Sequence, residues 1–413
     1  MASSSSSSRS PVHVVYGGAN LYKSNTPSKL GKIALSSLKT YAPDVEEFAA
    51  ATGLKGDKKF LQTIYKKTIE KLEREGVEDF RIDFEDGYGF RSDDEEDADS
   101  VKSSNELAKA FLSNTITPFC GFRIKSFAPE THSRAVRTLN LFFETFFKKT
   151  KNRLPGNFVV TLPKVSDQKE VAELCRRLTR IESDNRLAPN SIGVEIMIET
   201  SRAVIDEKGR VAIGQLVEAA AGRCSSAHFG AYDYTSALGI SAAHQHLRHE
   251  ACNFARQMML LTLAPLGVRL VDSVTTKMPV PIYKDAKLTS EQKVANRQSV
   301  HAGWREHFEN VTASMANGFY QSWDLHPNQL VARYAAVYAF FLKSRDTDAA
   351  RLRGFVEKAT QANLTGNTFD DAASAHGLMN FFRLGLDCGA FRAAEIKKAT
   401  SLSAEQMKTK SFF

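Results

Sequence analysis

The chain has 413 residues, 42% hydrophobic and 25% charged, a composition that suits a soluble globular protein with a large core. Its formal net charge of +8 is spread among acids along the chain, so no basic patch points to nucleic acid. Five cysteines with no CxxC spacing argue against a disulfide framework or zinc knuckle and for a reducing compartment, and no apolar run approaches the ~18 residues of a membrane span.

The opening MASSSSSSRS lacks the apolar segment of a secretory signal. Residues 1–11 read as a disordered Ser-rich tail on a cytoplasmic protein, with an organelle-targeting remnant left open. From Val12 onward strands and helices alternate. VHVVYGGA is strand-like, TPSKLGKIALSSLKTYA is a helix with Thr26 as N-cap and Pro27 in its first turn, and KKFLQTIYKKTIEKLERE is a helix that stops at Gly76. Further strands follow in VEDFRIDFEDGYGF, PFCGFRIKSF, NFVVTLPKV, SIGVEIMIET, SSAHFGAYDY, VRLVDSVTTK and QSWDLHPNQ. The intervening helices are NELAKAFLSN, SRAVRTLNLFFETFFKKT, DQKEVAELCRRLTRIES, RVAIGQLVEAAAG, HLRHEACNFARQMMLLTLAP and EQKVANRQSVHAGWREHFENVTASMANG, and NQLVARYAAVYAFFLKS follows the last strand. The acidic run Asp93–Asp99 reads as a solvated loop after the second strand.

Eight strands joined by helical crossovers predict a (β/α)8 TIM barrel over residues 12–345. Residues 346–413 read as a helical C-terminal extension without a strand, helical over 347–364 and 370–400, which caps the barrel or packs on a neighbouring subunit.

In such a barrel the C-terminal strand ends carry the active site. Those ends offer Asp83, Glu85, Asp86, Arg123, Lys125, Lys164, Glu199, Asp233, Asp324 and His326. Two carboxylates from neighbouring strands suit Mg²⁺ or Mn²⁺, and an adjacent arginine suits the carboxylate or developing enolate of a 2-oxo acid. Each residue also has a plainer reading: a strand-end acid as a cap or loop acceptor, Arg123 as an ion-pair partner of Asp83 or Glu85, Lys164 as a solvated rim residue. His244, His246 and His249 read as surface or capping residues and His228 as packed inside. Gly17 and Gly18 allow close backbone approach but form no phosphate-binding motif.

VEDFRIDFEDGYG, GFRIK, TLPKV, GVEIMIETSRAV, AHFGAYDYTSALG and WDLHPNQL, in this order and spacing, resemble the HpcH/HpaI aldolase and citrate lyase beta-subunit-like family over residues 76–344. The resemblance implies a phosphoenolpyruvate/pyruvate-binding barrel, divalent-metal-dependent carbon–carbon bond cleavage or formation, and a homo-oligomer. It makes Glu199 and Asp233 the metal ligands and Arg123 the residue that binds the substrate's oxo-acid end. Asp83, Glu85 and Asp86 take the position whose acids order the arginine and metal-bound waters, and His326 and Pro327 match the turn that starts the helix after the last strand.

The expectation is a Mg²⁺- or Mn²⁺-dependent lyase or aldolase acting on a small 2-oxo or hydroxy acid through a Mg-stabilised enolate. Its catalytic set is Arg123, Asp83, Glu85 and Asp86, with Arg123, Lys125 and Lys164 on the substrate. The alternatives are an acyl-CoA lyase or thioesterase of the same family, or a barrel retained only for binding and assembly. Against acyl-CoA, Ile124 and Lys125 follow Arg123 where the family's acyl-CoA lyases carry a small residue and Asn, and an acidic run at the mouth would repel phosphates.

Overall fold

The computed structural model describes residues 9–358, 363–365 and 368–409. Eight strands form the barrel: β1 (His13–Gly18), β2 (Asp79–Asp83), β3 (Phe119–Arg123), β4 (Phe158–Leu162), β5 (Gly193–Ile198), β6 (Cys224–Phe229), β7 (Arg269–Asp272) and β8 (Gln321–Asp324). They pair in parallel in chain order, and β8 closes on β1 through the partners His13–Ser322, Val14–Trp323 and Val15–Asp324. The helices between them begin with α1 (Thr26–Tyr41), α2 (Val45–Thr52), α3 (Lys58–Glu75), α4 (Asp93–Leu112), α5 (His132–Thr150) and α6 (Gln168–Asp184). Next come α7 (Ser201–Val204), α8 (Ile213–Ala219), α9 (Ala231–Ala237), α10 (Glu250–Leu263) and α11 (Ser290–Ala316). The expected TIM barrel is therefore present, and among the described residues no helix is long and apolar enough to cross a membrane.

Local chemistry sets the boundaries. α3 starts where Asp57 accepts a hydrogen bond from the Phe60 amide at 2.8 Å. At α1 the cap is Asn25, one residue before the expected Thr26, and Pro27 occupies the first turn, where a missing N–H costs nothing. The FFETFF pattern of α5 lays Phe142, Phe143, Phe146 and Phe147 against β3 and β4, with Phe122 stacked on Phe142 at 4.0 Å between centroids. Each buried phenyl ring contributes roughly 1.5–3 kcal/mol. Gly121 lies so close to the Val159 carbonyl of β4 that any side chain would collide with it.

The acidic run is not a loop. Ser92 and Glu95 form a reciprocal cap, and Asp93–Asp99 opens α4, where four acids in the first turn complement the helix dipole. Asp97 is held by Arg134 and Arg137 of α5, and buried Glu96 accepts from Thr138 at 2.6 Å. Glu96 and Asp97 thus fasten α4 to α5, while Asp93, Asp94 and Glu95 stay exposed.

The extension also departs from expectation. α12 (Gln329–Glu357) is one helix running through 345/346, and β9 (Asn363–Thr365) pairs antiparallel with β10 (Thr368–Asp370), so the extension has strands of its own. The helix expected over 347–364 ends at Glu357, and residues 359–362 lie outside the described ones. α13 (Ala372–Asp387), α14 (Ala393–Thr400) and α15 (Ala404–Thr409) follow. Phe381 of α13 packs on Phe341 of α12 at 5.2 Å and on Phe391 at 5.8 Å. Residues 1–8 of the Ser-rich tail lie outside the described ones, whereas Arg9 is bonded to Glu75 and Glu78, and the Ser10 amide to Asp387.

Candidate active site at the barrel mouth

The C-terminal ends of β2 to β6 gather most of the expected residues. Asp83 and Arg123 are register partners at the ends of β2 and β3. Arg123 donates from Nε and Nη2 to the two oxygens of Asp83, each at 2.6 Å, and its Nη1 lies 3.1 Å from Glu85 and 3.7 Å from Asp86. Asp83 also accepts from the amides of Glu85 (3.0 Å) and Gly87 (2.8 Å), so the carboxylate that orients the arginine also shapes the loop carrying the other two acids.

Lys164 follows β4 with φ +52°, a left-handed conformation that costs a non-glycine residue energy. That turn points its amide at Glu199 Oε1, 2.6 Å away, while its ammonium reaches Glu85 and, at 3.0 Å, Asp86. Although burial opposes the charge, these two carboxylates hold the Lys164 ammonium above its ordinary range.

Glu199 comes directly after β5 and is buried. Asp233 is not in a turn after a long strand: β6 ends at Phe229, and Asp233 sits in the first turn of α9. Burial, then the nearby Asp233 charge, pushes Glu199 up to about 8, and burial also raises Asp233. A side chain at Gly230 would overlap Glu199, so the glycine is what lets this carboxylate lie across the start of α9. Burial raises Glu85 as well, whereas the hydrogen bond from Glu85 and the charges of Arg123 and Lys164 outweigh burial at Asp86 and lower it.

Three expected residues stand apart. Lys125 is engaged by the Phe84 carbonyl at 2.7 Å and Glu96 at 3.0 Å, on the α4 side. Asp324 is enclosed by His13 (3.0 Å), His307 (2.8 Å) and Arg333 (2.7 Å) between the sheet and its helices. His326 accepts from the Asn328 amide at the start of α12. Of the other histidines, His249 caps α10 by accepting from the Ala251 amide, and His228 lies inside the barrel, 2.6 Å from Glu195.

Sequence reasoning missed the layer beneath the arginine. Glu195, also from EIMIET, is fully buried and accepts from Tyr16 (2.9 Å), Thr161 (2.7 Å), Ser226 (2.6 Å) and Arg81 (3.0 Å). Tyr16 then carries the Arg123 guanidinium 4.9 Å above its ring, with Trp323 5.3 Å from the same cation and 4.2 Å from Tyr16. The alternation of β1 and β8 placed both rings on an inward face; nothing in their types marked them as neighbours of Arg123.

Glu199 and Asp233 fit a hard divalent cation: they offer carboxylate oxygens only, both are disfavoured as bare anions by burial, and Gly230 keeps the space over Glu199 clear. Among the described residues no group of three or more His, Cys, Asp or Glu side chains could hold a metal ion.

Residues 3–413 match the model of a family described as Domain of unknown function (DUF6986). The chain belongs to this family. No curated protein matches the DUF6986 chain. Among solved structures, a citrate lyase from Burkholderia xenovorans LB400 aligns at TM-score 0.57 and 17% identity, over 84% of this chain and 94% of that one. A Haloferax volcanii malate synthase in a magnesium/glyoxylate complex aligns at TM-score 0.46 and 15% identity, over 79% and 74%. The citrate lyase beta subunit of M. tuberculosis, complexed with oxaloacetate and magnesium, aligns at TM-score 0.42 and 16% identity, over 80% and 98%. The first of these likenesses shows the shared barrel fold; the other two are too distant to bear on the argument.

Proposed function

We propose that the chain is a divalent-metal-dependent carbon–carbon lyase or aldolase acting on a small 2-oxo or hydroxy acid through an enolate. The observation that carries this reading is the pair Glu199 and Asp233, both raised by burial, beside the clamped guanidinium of Arg123. Five carboxylates (Asp83, Glu85, Asp86, Glu199, Asp233) face two cations (Arg123, Lys164) at this mouth, which favours a further positive charge. Glu199 and Asp233 would hold Mg²⁺ or Mn²⁺, which when bound supplies charge beside the oxo and carboxylate oxygens of the substrate.

Arg123 binds the oxo-acid end and, fixed by Asp83, needs no reorganisation as negative charge develops on the substrate. Asp83 is a positioning residue, because its oxygens are already committed to Arg123 and two amides. Glu85 is the candidate base for the hydroxyl proton in the cleavage direction: it is the raised member of the acidic cluster and sits between Arg123 and Lys164. Assembly into a homo-oligomer and a cytoplasmic location belong to the same reading, supported by the family resemblance and the cysteine usage.

Calorimetry with Mg²⁺ or Mn²⁺ and then pyruvate, oxaloacetate or glyoxylate tests the reading. Oxo-acid binding that requires metal and is lost in both Glu199→Gln and Asp233→Asn supports it; binding indifferent to metal and to both changes sinks it.

A second reading, an acyl-CoA substrate, is favoured by one observation the sequence did not reveal. A groove of about 490 Å³ between the loops after β4 and β5 is lined by the cations Lys169, Arg202, Lys208 and Arg210, which suit phosphate, together with the acids Asp167, Asp206 and Glu207, on the same face as Glu199. Arg210 is paired with Asp206 at 2.8 Å, so Lys169, Arg202 and Lys208 are the cations a phosphate would meet, beside Asp167 and Glu207. Titration with coenzyme A in place of an oxo acid separates the two: binding weakened by Lys169→Glu and Arg202→Glu favours the acyl-CoA reading.

A further inference from the structure

Arg123 is assigned above to the carboxylate end of the substrate, yet its side chain is 1% exposed, and no anion from solvent can reach it as it stands. Its neighbours show why. Nε and Nη2 donate to Asp83, and Nη1 lies 3.5 Å from Met197 Sδ and 3.1 Å from Glu85 Oε2. Tyr16 and Trp323 lie against the same guanidinium. A ligand meets Arg123 only if one of these groups gives way.

They are not equally free to do so. Asp83 has no exposed side-chain surface and is held by two loop amides besides the arginine, and Met197, on β5, is wholly buried. Exposure then rises outward, from 10% at the Glu85 side chain to 34% at Lys164 and 55% at Asp86. Glu85 is therefore the carboxylate that stands between the guanidinium and solvent. Its amide is pinned to Asp83, so the side chain can swing away while the backbone stays. Two contacts keep it in place: the Lys164 ammonium, which engages both Glu85 and Asp86, and the Asp86 amide, which donates to Glu85 Oε2 at 2.9 Å.

We infer that Glu85 is an internal competitor for the substrate's carboxylate: in the free protein it fills the Nη1 edge of Arg123, latched by Lys164, and an incoming acid must take its place. The inference rests on the reading of Arg123 as the anion-binding residue of the mouth. The apparent affinity of any acid is lowered by the fraction of molecules in which that edge is open. An acid held by Arg123 alone is thereby kept out at ordinary concentrations, whereas one that also chelates the metal has a second anchor and displaces Glu85.

The test is calorimetry on the full chain with propionate and pyruvate, first in excess chelator and then with Mn²⁺, on wild type, Glu85→Gln and Glu85→Asp. The first substitution removes the competing charge; the second keeps the charge but draws it back from Nη1 by one methylene. In chelator, Glu85→Gln is expected to bind both acids at least about tenfold more tightly than wild type, and Glu85→Asp to gain in the same direction by less. With Mn²⁺, pyruvate gains the same factor, because it displaces the same carboxylate. In a Trp304→Phe background, propionate bound to Glu85→Gln changes the emission of Trp323, 5.3 Å from Arg123. Affinities no higher than wild type in either variant, or binding that is silent at Trp323, would overturn the inference. A gain in Glu85→Gln with Glu85→Asp unchanged also overturns it, since charge alone then accounts for the effect. The metal reading fails separately. Mn²⁺-dependent pyruvate binding without any gain in the variants sinks the competitor and keeps the metal pair, whereas a gain for propionate in a protein that binds no Mn²⁺ does the reverse.

Discussion

Arg123 and Asp83 face each other at the ends of adjacent strands, joined by two hydrogen bonds of 2.6 Å, with both side chains almost wholly removed from solvent. A buried pair of this kind stabilises little overall, but breaking it leaves one charge stranded. Asp83→Asn should therefore destabilise the protein by about 3–5 kcal/mol, whereas Asp86→Asn, at the exposed rim, should cost about 1 kcal/mol or less. Urea unfolding of both variants checks the contrast. Equal, small losses would show that the clamp is not the rigid element described above.

Glu199 yields a pH dependence. Its folded-state value of about 8 is above the ordinary value near 4.5, so between these two the folded protein keeps a proton that the unfolded chain releases. Without metal, stability then falls as pH rises from about 4.5 to about 8 and levels off beyond. Glu199→Gln removes the penalty, and above pH 8 the variant should be more stable than wild type by on the order of a few kcal/mol. Parallel stability–pH curves for the two proteins would contradict the assignment.

Gly230→Ala tests the space around the same carboxylate. The added methyl overlaps Glu199, and the carboxylate must shift from its present position. Far-UV circular dichroism should show the barrel intact while Mn²⁺ affinity, measured by calorimetry, drops at least about tenfold. Unchanged Mn²⁺ binding would separate the metal from Glu199.

Only Trp304 and Trp323 can report by indole fluorescence. Trp304 is buried at α11 and donates to the Asn328 carbonyl at 2.7 Å, whereas Trp323 lies on the inner wall 5.3 Å from the Arg123 guanidinium. Oxo-acid binding at the mouth should change emission in wild type and Trp304→Phe, and leave Trp323→Phe silent. A signal surviving in Trp323→Phe would place the ligand elsewhere.

The barrel was legible because its strands are short apolar runs separated by long amphipathic helices, and that alternation admits few folds. Strand-end chemistry was legible for the same reason: once the strands are placed, Asp83, Arg123, Lys164 and Glu199 fall on one face. What the pattern hid came from contacts between distant segments. Asp93–Asp99 looked like a solvated loop until Arg134 and Arg137 of α5 were found to neutralise part of it, although Ser92 with Glu95 was a readable capping signal. Asp233 looked like a turn residue because GAYDYTSALG carries little helical periodicity over one short helix. Lys125 and Lys164 were indistinguishable as rim cations, and only the packing of α4 gives Lys125 to Glu96. Tyr16 and Trp323 lie more than 300 positions apart in the chain, and no local signal announces that barrel closure stacks them beside Arg123.

The most direct test of the central claim is a calorimetric titration of Mn²⁺ into the protein near pH 7 in two buffers of different ionisation enthalpy. At that pH Glu199 is largely protonated, so metal bound by Glu199 and Asp233 should displace close to one proton per ion, and pyruvate should bind only afterwards. Metal binding without proton release, or pyruvate binding undiminished in Glu199→Gln, would contradict the assignment of this pair as the metal-holding centre.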